Sequence, residues 1–351
     1  MKLLIITQKV DKNDPILGFF HRWLIEFAKH YEKITVICLQ KGEYYLPDNV
    51  RVLSLDKENG VSRLKYLWNF YRYIWQERKN YDKVFVHMNP EYVVLAGWWW
   101  RLTHKPIALW YTHRQVNLKL RIAEKLSQII FTAAEKSFRL PSSKVLVVGH
   151  GIPVEDFHCP SDKSVSQELI ILHVGRITRI KNCDVLIKAG HELLGKITQP
   201  IKILFVGTAV TKDDGFYLQE LDKLVKDLKM EQWVEFRGSV SPEQIRDYYC
   251  QANLSVNLTP TGGIDKAVLE SMASGTPVLS SNQSFALYFD KYQKKLLFKE
   301  RDYRDLSEKI NNLLFESEQL SLIGDYLYRQ VNQKSSLQKL ISMIIEQINK
   351  L

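Results

Sequence analysis

Two stretches in the second half of the chain combine glycines with charged residues at the ends of apolar runs. In "LIILHVGRITRIKNCDVLIKA" a short apolar run is followed by Gly175, Arg176 and Lys181, before a predicted helix that starts near Asn182. Fixed cations beside a helix N-terminus, at the carboxyl end of a strand, predict a phosphate site. The alternative is an ordinary solvated basic loop.

The second stretch is "PTGGIDKAVLESMASGTPV". Gly262 and Gly263 allow the backbone to turn and to approach a ligand closely, and Asp265 is a suitable N-cap for the predicted helix. The backbone amides that follow the glycines would form an anion cradle, and Glu270 lies off the apolar stripe of this helix. Taken alone, the same turn is also compatible with an ordinary helix start.

The apolar pattern of the chain predicts a scaffold that brings such stretches to one edge. Short apolar runs alternate with amphipathic segments of helical length, which is typical of parallel sheets with helices on both faces. The predicted strands are residues 3–7, 34–39, 83–88, 106–111, 128–132, 144–148, 169–174, 201–206, 233–238 and 254–258. In such sheets ligands bind outside the carboxyl ends of the strands.

The strand–helix pattern restarts after a Gly/Pro/Ser-rich connection, "GHGIPVEDFHCPSDKSVSQ". We therefore predict an α/β protein of two Rossmann-like, doubly wound domains that face each other across a cleft, residues 1–155 and 156–335. The last segment, about 336–351, is predicted to be a helix that packs back towards the N-terminal domain. Its apolar stripe comprises residues 337, 340, 341, 344, 345 and 348.

The net charge of +10 favours an anionic partner. Nucleotide phosphates, nucleic acid and an anionic membrane surface all satisfy this condition. Since the basic residues are spread along the chain and no nucleic-acid-binding module is recognisable, nucleic acid is not an expected partner.

The cysteines and the apolar runs bear on location. Cys38, Cys159, Cys183 and Cys250 have no paired spacing, which argues against a zinc site or a disulfide framework and favours a reducing compartment. The start "MKLLIITQKVDKND" is too short in apolar residues for a signal peptide, and no run approaches the roughly 18 apolar residues of a spanning helix. These features predict a cytoplasmic protein that is soluble or peripheral at the inner face of the membrane.

Several motifs in the C-terminal half resemble those of family 4 retaining glycosyltransferases of the GT-B fold. They are "HVGRITRIKNCDVLIKA", "FVG", "VEFRGSVSPEQIRDYY" and "AVLESMASGTPVLSS", in this order. The N-terminal half matches only in layout, including the first loop "DPILGFFHRW" and the crossover "KVLVVGHGIPVEDF". The resemblance implies a nucleotide-sugar donor, UDP- or GDP-linked, held mainly by the C-terminal domain, and a glycan or lipid-linked acceptor held by the N-terminal one.

The resemblance also implies a role for each motif residue. The implied catalytic residues are His113, Arg176 and Lys181; the two cations would grip the donor diphosphate, and His113, just past a strand end, would lie near the reacting sugar. Glu270 would bind the ribose hydroxyls, and Gly238 to Val240 would lie beside the base. The full donor-binding set is Gly18, Gly238, Ser239, Val240, Gly262, Gly263, Ile264, Asp265, Lys266, Leu269 and Glu270. For His113 the alternative is a local hydrogen-bonding role.

Loss of a nucleoside diphosphate requires its developing negative charge to be offset by a metal or by preorganised cations and amides. The sequence contains no convincing carboxylate cluster for a metal, since Asp213 and Asp214 lie in a polar segment. We therefore expect a metal-independent reaction with no cofactor besides the nucleotide-sugar substrate.

The donor-binding turn departs from the family pattern at three positions. The family usually has two glutamates eight positions apart, and here the first position is Gly262, while Asp265 and Lys266 replace a more usual glycine and apolar residue. We expect Asp265 to contact a sugar hydroxyl and Lys266 to add a cation near the phosphates. Alternatively, Asp265 only caps the helix and Lys266 points to solvent. The missing glutamate also leaves open a non-catalytic relative that binds a nucleotide sugar or glycan as a partner subunit.

The helical segment "VSRLKYLWNFYRYIWQERKNYDK" carries two aromatic faces. The stripe predicted to pack on the sheet comprises Leu64, Leu67, Trp68, Tyr71, Ile74 and Trp75. The face predicted to be exposed comprises Tyr66, Phe70 and Tyr73, with Arg63, Lys65 and Arg72 close by. Together with "AGWWWRLTHKP", this mixture of aromatic and basic residues makes an anionic membrane surface a further candidate partner. The alternative is a helix packed between neighbouring helices.

Overall fold

The computed structural model describes the whole chain except Pro15, Arg114, residues 160–167 and Glu316. The described residues form two compact units. The first comprises Met1–Gly151 and Leu337–Leu351, and the second comprises Ile152–Ser336. The end of the predicted connection between the domains, 160–167, lies outside the described residues.

The first unit is built on a seven-stranded sheet with the strand order β3-β2-β1-β4-β5-β6-β7. Every neighbouring pair of strands is parallel. The strands are β1 (Lys2–Val10), β2 (Lys33–Lys41), β3 (Val50–Ser54), β4 (Lys83–His87), β5 (Ile107–Trp110), β6 (Ile129–Thr132) and β7 (Val145–Val147). The helices that connect them are α1 (Phe19–Ala28), α2 (Arg63–Gln76), α3 (Pro90–Leu102) and α4 (Leu118–Leu126).

The second unit is built on a five-stranded parallel sheet with the order β10-β9-β8-β11-β12. The strands are β8 (Leu169–Val174), β9 (Ile201–Val206), β10 (Val234–Gly238), β11 (Leu254–Asn257) and β12 (Val278–Ser280). The helices are α5 (Val154–Phe157), α6 (Cys183–Leu193), α7 (Lys212–Asp227), α8 (Pro242–Gln251), α9 (Lys266–Ala273), α10 (Ala286–Phe289), α11 (Gln293–Leu296), α12 (Tyr303–Phe315) and α13 (Ser317–Ser335). The predicted pair of Rossmann-like α/β domains is confirmed.

The chain returns to the first unit through its last helix, α14 (Leu337–Asn349). All six positions of the predicted apolar stripe are buried there, in one core with residues of α1 and the sheet. The Nζ atom of Lys83, at the start of β4, donates to the carbonyl oxygen of Ile348 at 2.6 Å. A cation at this position stabilises the C-terminal end of the helix.

In each sheet the first strand lies between the second and the fourth, so the strand order reverses at β1/β4 and at β8/β11. Such switch points open a crevice at the carboxyl ends of the strands, and this is where doubly wound sheets bind ligands. In the first unit, Thr7 on β1 and His87 on β4 meet at this point, with 3.2 Å between Oγ1 and Nδ1. The β8/β11 switch point of the second unit contains the residues described in the next subsection.

The predicted orientation of α2 is wrong. Phe70 and Ile74 are buried and Tyr66 and Tyr73 pack against the core, so most of the buried face comes from the side expected to be exposed. The side chains expected on the sheet are exposed instead, except Ile74: Leu64, Leu67, Trp68, Tyr71 and Trp75. Both faces are apolar enough to pack. Asn69 lies on the face that is buried, and it donates to the carboxylate of Asp56 at 3.1 Å.

The prediction that the cysteines form no disulfide is also wrong. Cys159, shortly after α5, and Cys250 in α8 are disulfide-bonded, although 91 residues separate them in sequence. Only the fold brings these two residues together, so their spacing in the sequence carried no signal. Cys38 and Cys183 are free and buried. Cysteine usage therefore no longer supports a reducing compartment.

The carboxyl ends of β8, β9 and β10 are joined through glycines. Gly207, directly after β9, has a φ of +140°, and a Cβ atom at this position would lie 1.9 Å from the carbonyl oxygen of Gly175. The backbone amide of Gly207 donates to the carbonyl oxygen of Gly238 at 2.8 Å. Because backbone atoms surround it on both sides, this position requires glycine.

We expect Gly207→Ala to lower the free energy of unfolding by about 3 kcal/mol, through left-handed backbone strain and overlap with Gly175. Urea denaturation measures this change. The matched control is Gly215→Ala within α7, where an added Cβ meets no atom within 4 Å. This control should gain about 0.5–1 kcal/mol. Equal stability of the two variants would contradict the requirement for glycine at 207.

Candidate functional site

The two charged stretches singled out in the sequence meet at the β8/β11 switch point. A short turn of 3-10 helix, Arg179–Lys181, follows β8 and carries Lys181 towards the end of β11. Asp265 begins α9 after the loop that follows β11. The two side chains form an ion pair, and both are largely buried, with 15% and 17% of their side-chain surface exposed. We refer to Lys181, Asn257, Thr259, Asp265, Lys266 and Glu270 as the switch-point site.

The carboxylate of Asp265 is the centre of this site. Besides Lys181, its Oδ2 atom accepts hydrogen bonds from Thr259 Oγ1 at 2.9 Å and from Asn257 Nδ2 at 3.0 Å. Its Oδ1 atom accepts from the backbone amide of Ala267 at 3.4 Å, which is the expected N-cap of α9. One carboxylate therefore fixes the end of β11, the start of α9 and the cation that follows β8.

Burial alone would raise the pKa of Asp265. The nearby Lys181 ammonium, its hydrogen bond and those from Thr259 and Asn257 outweigh burial and hold this pKa below its ordinary value. Asp265 is therefore ionised at neutral pH. It matches the expected helix cap, and it also neutralises Lys181, which neither sequence-based alternative included.

Two further residues of α9, Lys266 and Glu270, have pKa values shifted towards neutral pH. Burial raises the pKa of Glu270 to about 7, against the opposing effect of the Lys266 ammonium. Burial also lowers the pKa of Lys266 to about 8, opposed by the Glu270 carboxylate. Lys266 is partly buried, so it does not simply point to solvent. The Oε2 atom of Glu270 accepts a hydrogen bond from the buried Tyr249 hydroxyl at 3.3 Å.

The glycine turn is held by the loop after β12, which the sequence analysis did not identify. Asn282 Nδ2 donates to the carbonyl oxygen of Gly263 at 2.8 Å, and its Oδ1 accepts from the amide of Gly262 at 3.4 Å. Ser284 Oγ donates to the carbonyl oxygen of Gly262 at 3.1 Å. These bonds occupy the carbonyl groups of the turn. Within the described residues, the amides of Gly263 and Ile264 donate to no protein acceptor, as an anion cradle requires.

A buried histidine below the site was also missed. His173, in β8, is fully buried, and its Nδ1–H donates to the carbonyl oxygen of Val256 in β11 at 2.9 Å. Burial lowers the pKa of His173 to about 4, with a further contribution from the charge of Lys181. The neutral imidazole thus joins the two strands on either side of the switch point. A polar residue inside the apolar run "LIILHV" was the signal available in the sequence.

The other predicted residues of the second unit have different environments. Arg176 is exposed, and its charge contributes to lowering the pKa of Asp214 after the Thr211 hydrogen bonds. Gly238 ends β10 with a φ of +71°; Ser239 after it is exposed. Three further members pack in the protein: Val240 and Ile264 are partly buried against hydrophobic clusters, and Leu269 is fully buried in the main core of the unit. The side chain of Leu269 therefore faces the core and not the surface.

In the first unit, Gly18 and His113 lie beyond the carboxyl ends of β1 and β5. Gly18 precedes α1, and a Cβ atom there would lie 2.5 Å from the carbonyl oxygen of Asp14. Close packing of the loop against itself therefore accounts for this glycine. His113 is exposed and makes an edge contact with Tyr111, 5.8 Å between ring centres.

The described residues contain no group of three or more His, Cys, Asp or Glu side chains arranged to hold a metal ion. None of the helices in this part of the chain is long and apolar enough to cross a bilayer. The switch-point site presents two lysines and the partly buried carboxyl group of Glu270, and the glycine turn next to it presents the amides of Gly263 and Ile264. Together these groups suit a phosphorylated ligand with hydroxyl groups.

Comparison with known proteins shows what the second unit is similar to. Residues 156–330 match the family model of the group 1 glycosyl transferases. The chain is 26% identical over 125 residues to the GDP-Man:Man(3)GlcNAc(2)-PP-Dol alpha-1,2-mannosyltransferase of Homo sapiens, covering 34% of this chain and 25% of that protein. It is 28% identical over 137 residues to the alpha-monoglucosyldiacylglycerol synthase of Streptococcus pneumoniae, covering 38% of this chain and 30% of that protein. The matches thus span less than a third of either relative.

The fold is similar to that of solved two-domain proteins over the full length. Anabaena Alr3699/HepE, solved in complex with UDP, superposes with a TM-score of 0.76 at 17% sequence identity, and the match covers 100% of both chains. The fold of this chain is therefore GT-B, with two Rossmann-like α/β domains.

We expect Asp265→Asn to lower the free energy of unfolding by about 2–4 kcal/mol, because it leaves the buried ammonium of Lys181 without its counter-charge. Since the pKa of Asp265 is depressed in the fold, its contribution is complete above its unfolded pKa and is lost as the pH falls through the lower, folded pKa. The difference between the wild type and the variant should therefore shrink in acid. Urea denaturation at several pH values measures it.

The matched control is Asp247→Asn, at an exposed position of α8. It should change stability by less than about 0.5 kcal/mol at every pH. If Asp265→Asn behaves like this control, the carboxylate is not the organising group of the site.

Proposed function

We propose, on the premise that the second unit carries a group 1 glycosyltransferase domain, that this chain transfers a sugar from a nucleoside diphosphate sugar to a hydroxyl acceptor. The observation that carries the proposal is the arrangement at the β8/β11 switch point. There Lys181, the N-terminus of α9 and the amides of the glycine turn converge. These are the groups that stabilise a departing diphosphate when no metal is present.

Within this proposal the predicted residue roles are as follows. Arg176 and Lys181 bind the diphosphate, and Glu270 accepts hydrogen bonds from the ribose hydroxyls. Gly238 to Val240 lie beside the base, and the turn from Gly262 to Lys266 covers the diphosphate and sugar. We also propose that Gly18 and His113 of the first unit act near the reacting sugar.

The donor base is a uracil or a guanine in this proposal. Support comes from two similar proteins: Alr3699/HepE was solved with UDP, and the human relative is named as a GDP-mannose-dependent enzyme. The acceptor is a glycan or a lipid-linked molecule, in line with the names of the mannosyltransferase and the diacylglycerol glycoside synthase.

We further propose that transfer proceeds with retention and without a metal, as in family 4. The bond between the anomeric carbon and the diphosphate oxygen breaks, and the acceptor oxygen bonds to the same face of that carbon. The acceptor proton passes to the departing diphosphate, whose charge is offset by Arg176 and Lys181. A cytoplasmic location stays a prediction, and the Cys159–Cys250 disulfide argues against it, since disulfides are rare in reducing compartments.

A second function is favoured by Gly262 and by the Lys181–Asp265 pair. Gly262 stands where the family has a sugar-binding glutamate, and Lys181 is already neutralised by a side chain. Both features fit a non-catalytic relative that binds a nucleotide sugar or glycan within an assembly. Binding without hydrolysis or transfer, across a panel of donors and acceptors, would favour this second function.

The primary test is a panel of UDP- and GDP-sugars, read first by thermal shift and then by donor hydrolysis and transfer. We expect one donor to raise the melting temperature and to be turned over in the presence of a chelator. Arg176→Gln should weaken binding of that donor at least about tenfold, the value of one charge-assisted phosphate contact.

The matched control for Arg176→Gln is Arg179→Gln. Arg179 lies three residues away in the same loop but is exposed and paired with Glu220 of α7, 2.9 Å between Nη1 and Oε2. Its replacement should leave donor affinity unchanged. Equal losses in both variants would indicate a general electrostatic effect in place of a diphosphate contact, and no response to any donor would overturn the proposal.

Glu270 makes the pH dependence of nucleotide binding a separate test. Because its pKa is raised to about 7, Glu270 is largely protonated below that pH and ionised above it. The carboxylate accepts from two ribose hydroxyls, so affinity for a nucleotide sugar, whose diphosphate has no proton that titrates near neutral pH, should rise as the pH increases through 7. Calorimetric titration at several pH values measures this step. It should vanish in Glu270→Gln and persist in Glu231→Gln, an exposed control.

A further inference from the structure

An exposed apolar stripe runs along α2 and continues onto α3. Leu64, Trp68, Tyr71 and Trp75 follow each other at helical spacing on one side of α2, and the Tyr71 hydroxyl donates to the carbonyl oxygen of Leu95 in α3 at 3.1 Å. The neighbouring turns of α3 add Trp98 and Leu102. The exposed fractions are 79% for Leu64, 65% for Trp68, 43% for Tyr71, 58% for Trp75, 56% for Trp98 and 68% for Leu102.

The fold of the first unit does not need this stripe. The opposite side of α2 already supplies its packing, since Phe70 and Ile74 are 1% and 3% exposed and Tyr66 and Tyr73 lie against the same cluster. A contiguous set of exposed tryptophan and leucine side chains is unfavourable in water. Such patches mark interaction with a membrane or with another protein.

The charged residues around the stripe indicate which kind of partner binds it. Arg63 lies on one side of the α2 stripe and Lys65 and Arg72 on the other. Arg101 lies beside the Trp98–Leu102 side of α3, where its Nη1 donates to the carbonyl oxygen of Lys125 at 3.0 Å. The α2 segment contains no acidic residue, and the one acidic residue of α3, Glu91, forms an ion pair with Lys119 at 3.0 Å. Tryptophan and tyrosine in a stripe flanked by cations match the headgroup region of a bilayer with anionic lipid.

We propose that this aromatic–basic surface, the six apolar residues above with Arg63, Lys65, Arg72 and Arg101, docks the protein on a bilayer that contains anionic phospholipid. The axes of α2 and α3 lie along the membrane, the tryptophan rings enter the headgroup–acyl boundary, and the cations contact lipid phosphates. Docking requires no sugar transfer and so is independent of the proposed function. If both hold, the surface brings the acceptor-binding unit to lipid-borne substrates.

The test is flotation of the full chain with vesicles of phosphatidylcholine alone and with vesicles of equal parts phosphatidylcholine and phosphatidylglycerol. We expect the wild type to bind the mixed vesicles and to bind the neutral ones far more weakly. Replacing Arg63, Lys65 and Arg72 by glutamine should weaken binding to the mixed vesicles about a hundredfold, since each cation at an anionic surface contributes about fivefold.

The apolar part of the surface is tested by a triple variant, Trp68→Ser, Trp75→Ser and Trp98→Ser. It should lose binding to both kinds of vesicle while keeping the melting temperature of the wild type, because all three side chains are exposed. The matched controls lie in the second unit. The control for the tryptophan variant combines Phe216→Ser with Leu322→Ser, two exposed apolar residues. The control for the cation variant replaces the exposed Lys212, Lys223 and Lys226 by glutamine. Both controls should bind like the wild type.

Docking by this surface is overturned if the wild type does not float with mixed vesicles, if flotation is unchanged in both surface variants, or if flotation is lost equally in the controls. Analytical sedimentation without lipid measures the oligomeric state and so tests whether a second copy of the chain binds the stripe. A wild-type dimer that becomes a monomer in the tryptophan variant would assign the stripe to self-association and overturn the proposal. None of these measurements depends on donor turnover, so failure here and failure of the glycosyltransferase proposal are separate results.

Discussion

The organisation of the second unit around its switch point depends on one buried carboxylate. Asp265 is charged, mostly removed from water, and bonded to a lysine, a threonine, an asparagine and a helix amide at once. An uncompensated charge in this position would be costly, whereas a fully bonded one holds its neighbours in place. The end of β11, the start of α9 and the turn after β8 are therefore fixed relative to each other. Lys266 and Glu270 take their positions on α9 from this arrangement.

Much of the fold could be predicted because parallel sheets buried on both faces leave a simple trace in a sequence. Each predicted strand is a short apolar run, and each has a counterpart in the two sheets. The strands that were missed, Val50–Ser54 and Val278–Ser280, are short edge strands of five and three residues. The apolar stripe of α14 was equally clear, because six positions at helical spacing leave little choice of buried face.

The rest depended on contacts that local sequence does not encode. Both faces of α2 are apolar enough to pack, so the pattern of the helix alone did not give its orientation. The Cys159–Cys250 bond joins residues that only the fold brings together. In the site, Lys181 and Asp265 were both identified, but their pairing was not, since 84 residues separate them. Asn282, which forms hydrogen bonds with the backbone of the glycine turn, belongs to no motif that the sequence analysis recognised. The sequence therefore predicted the charged residues of the site, but it did not predict which of them form ion pairs with each other.

Because α14 belongs to the first unit, the two units are completed in a fixed order during synthesis. The segment Ile152–Ser336 interrupts the first unit in the sequence, so the ribosome completes the second unit before it supplies the last helix of the first. Until then the face of α1 that later covers Ile341 and Ile344 is open to water, as is the groove beside Gly151, where Leu337 and Leu340 pack closely enough to exclude a Cβ atom. The nascent first unit therefore exposes part of its apolar core until α14 has been made. If synthesis stops anywhere in the second unit, the released chain lacks α14, and the core of its first unit stays partly exposed to water.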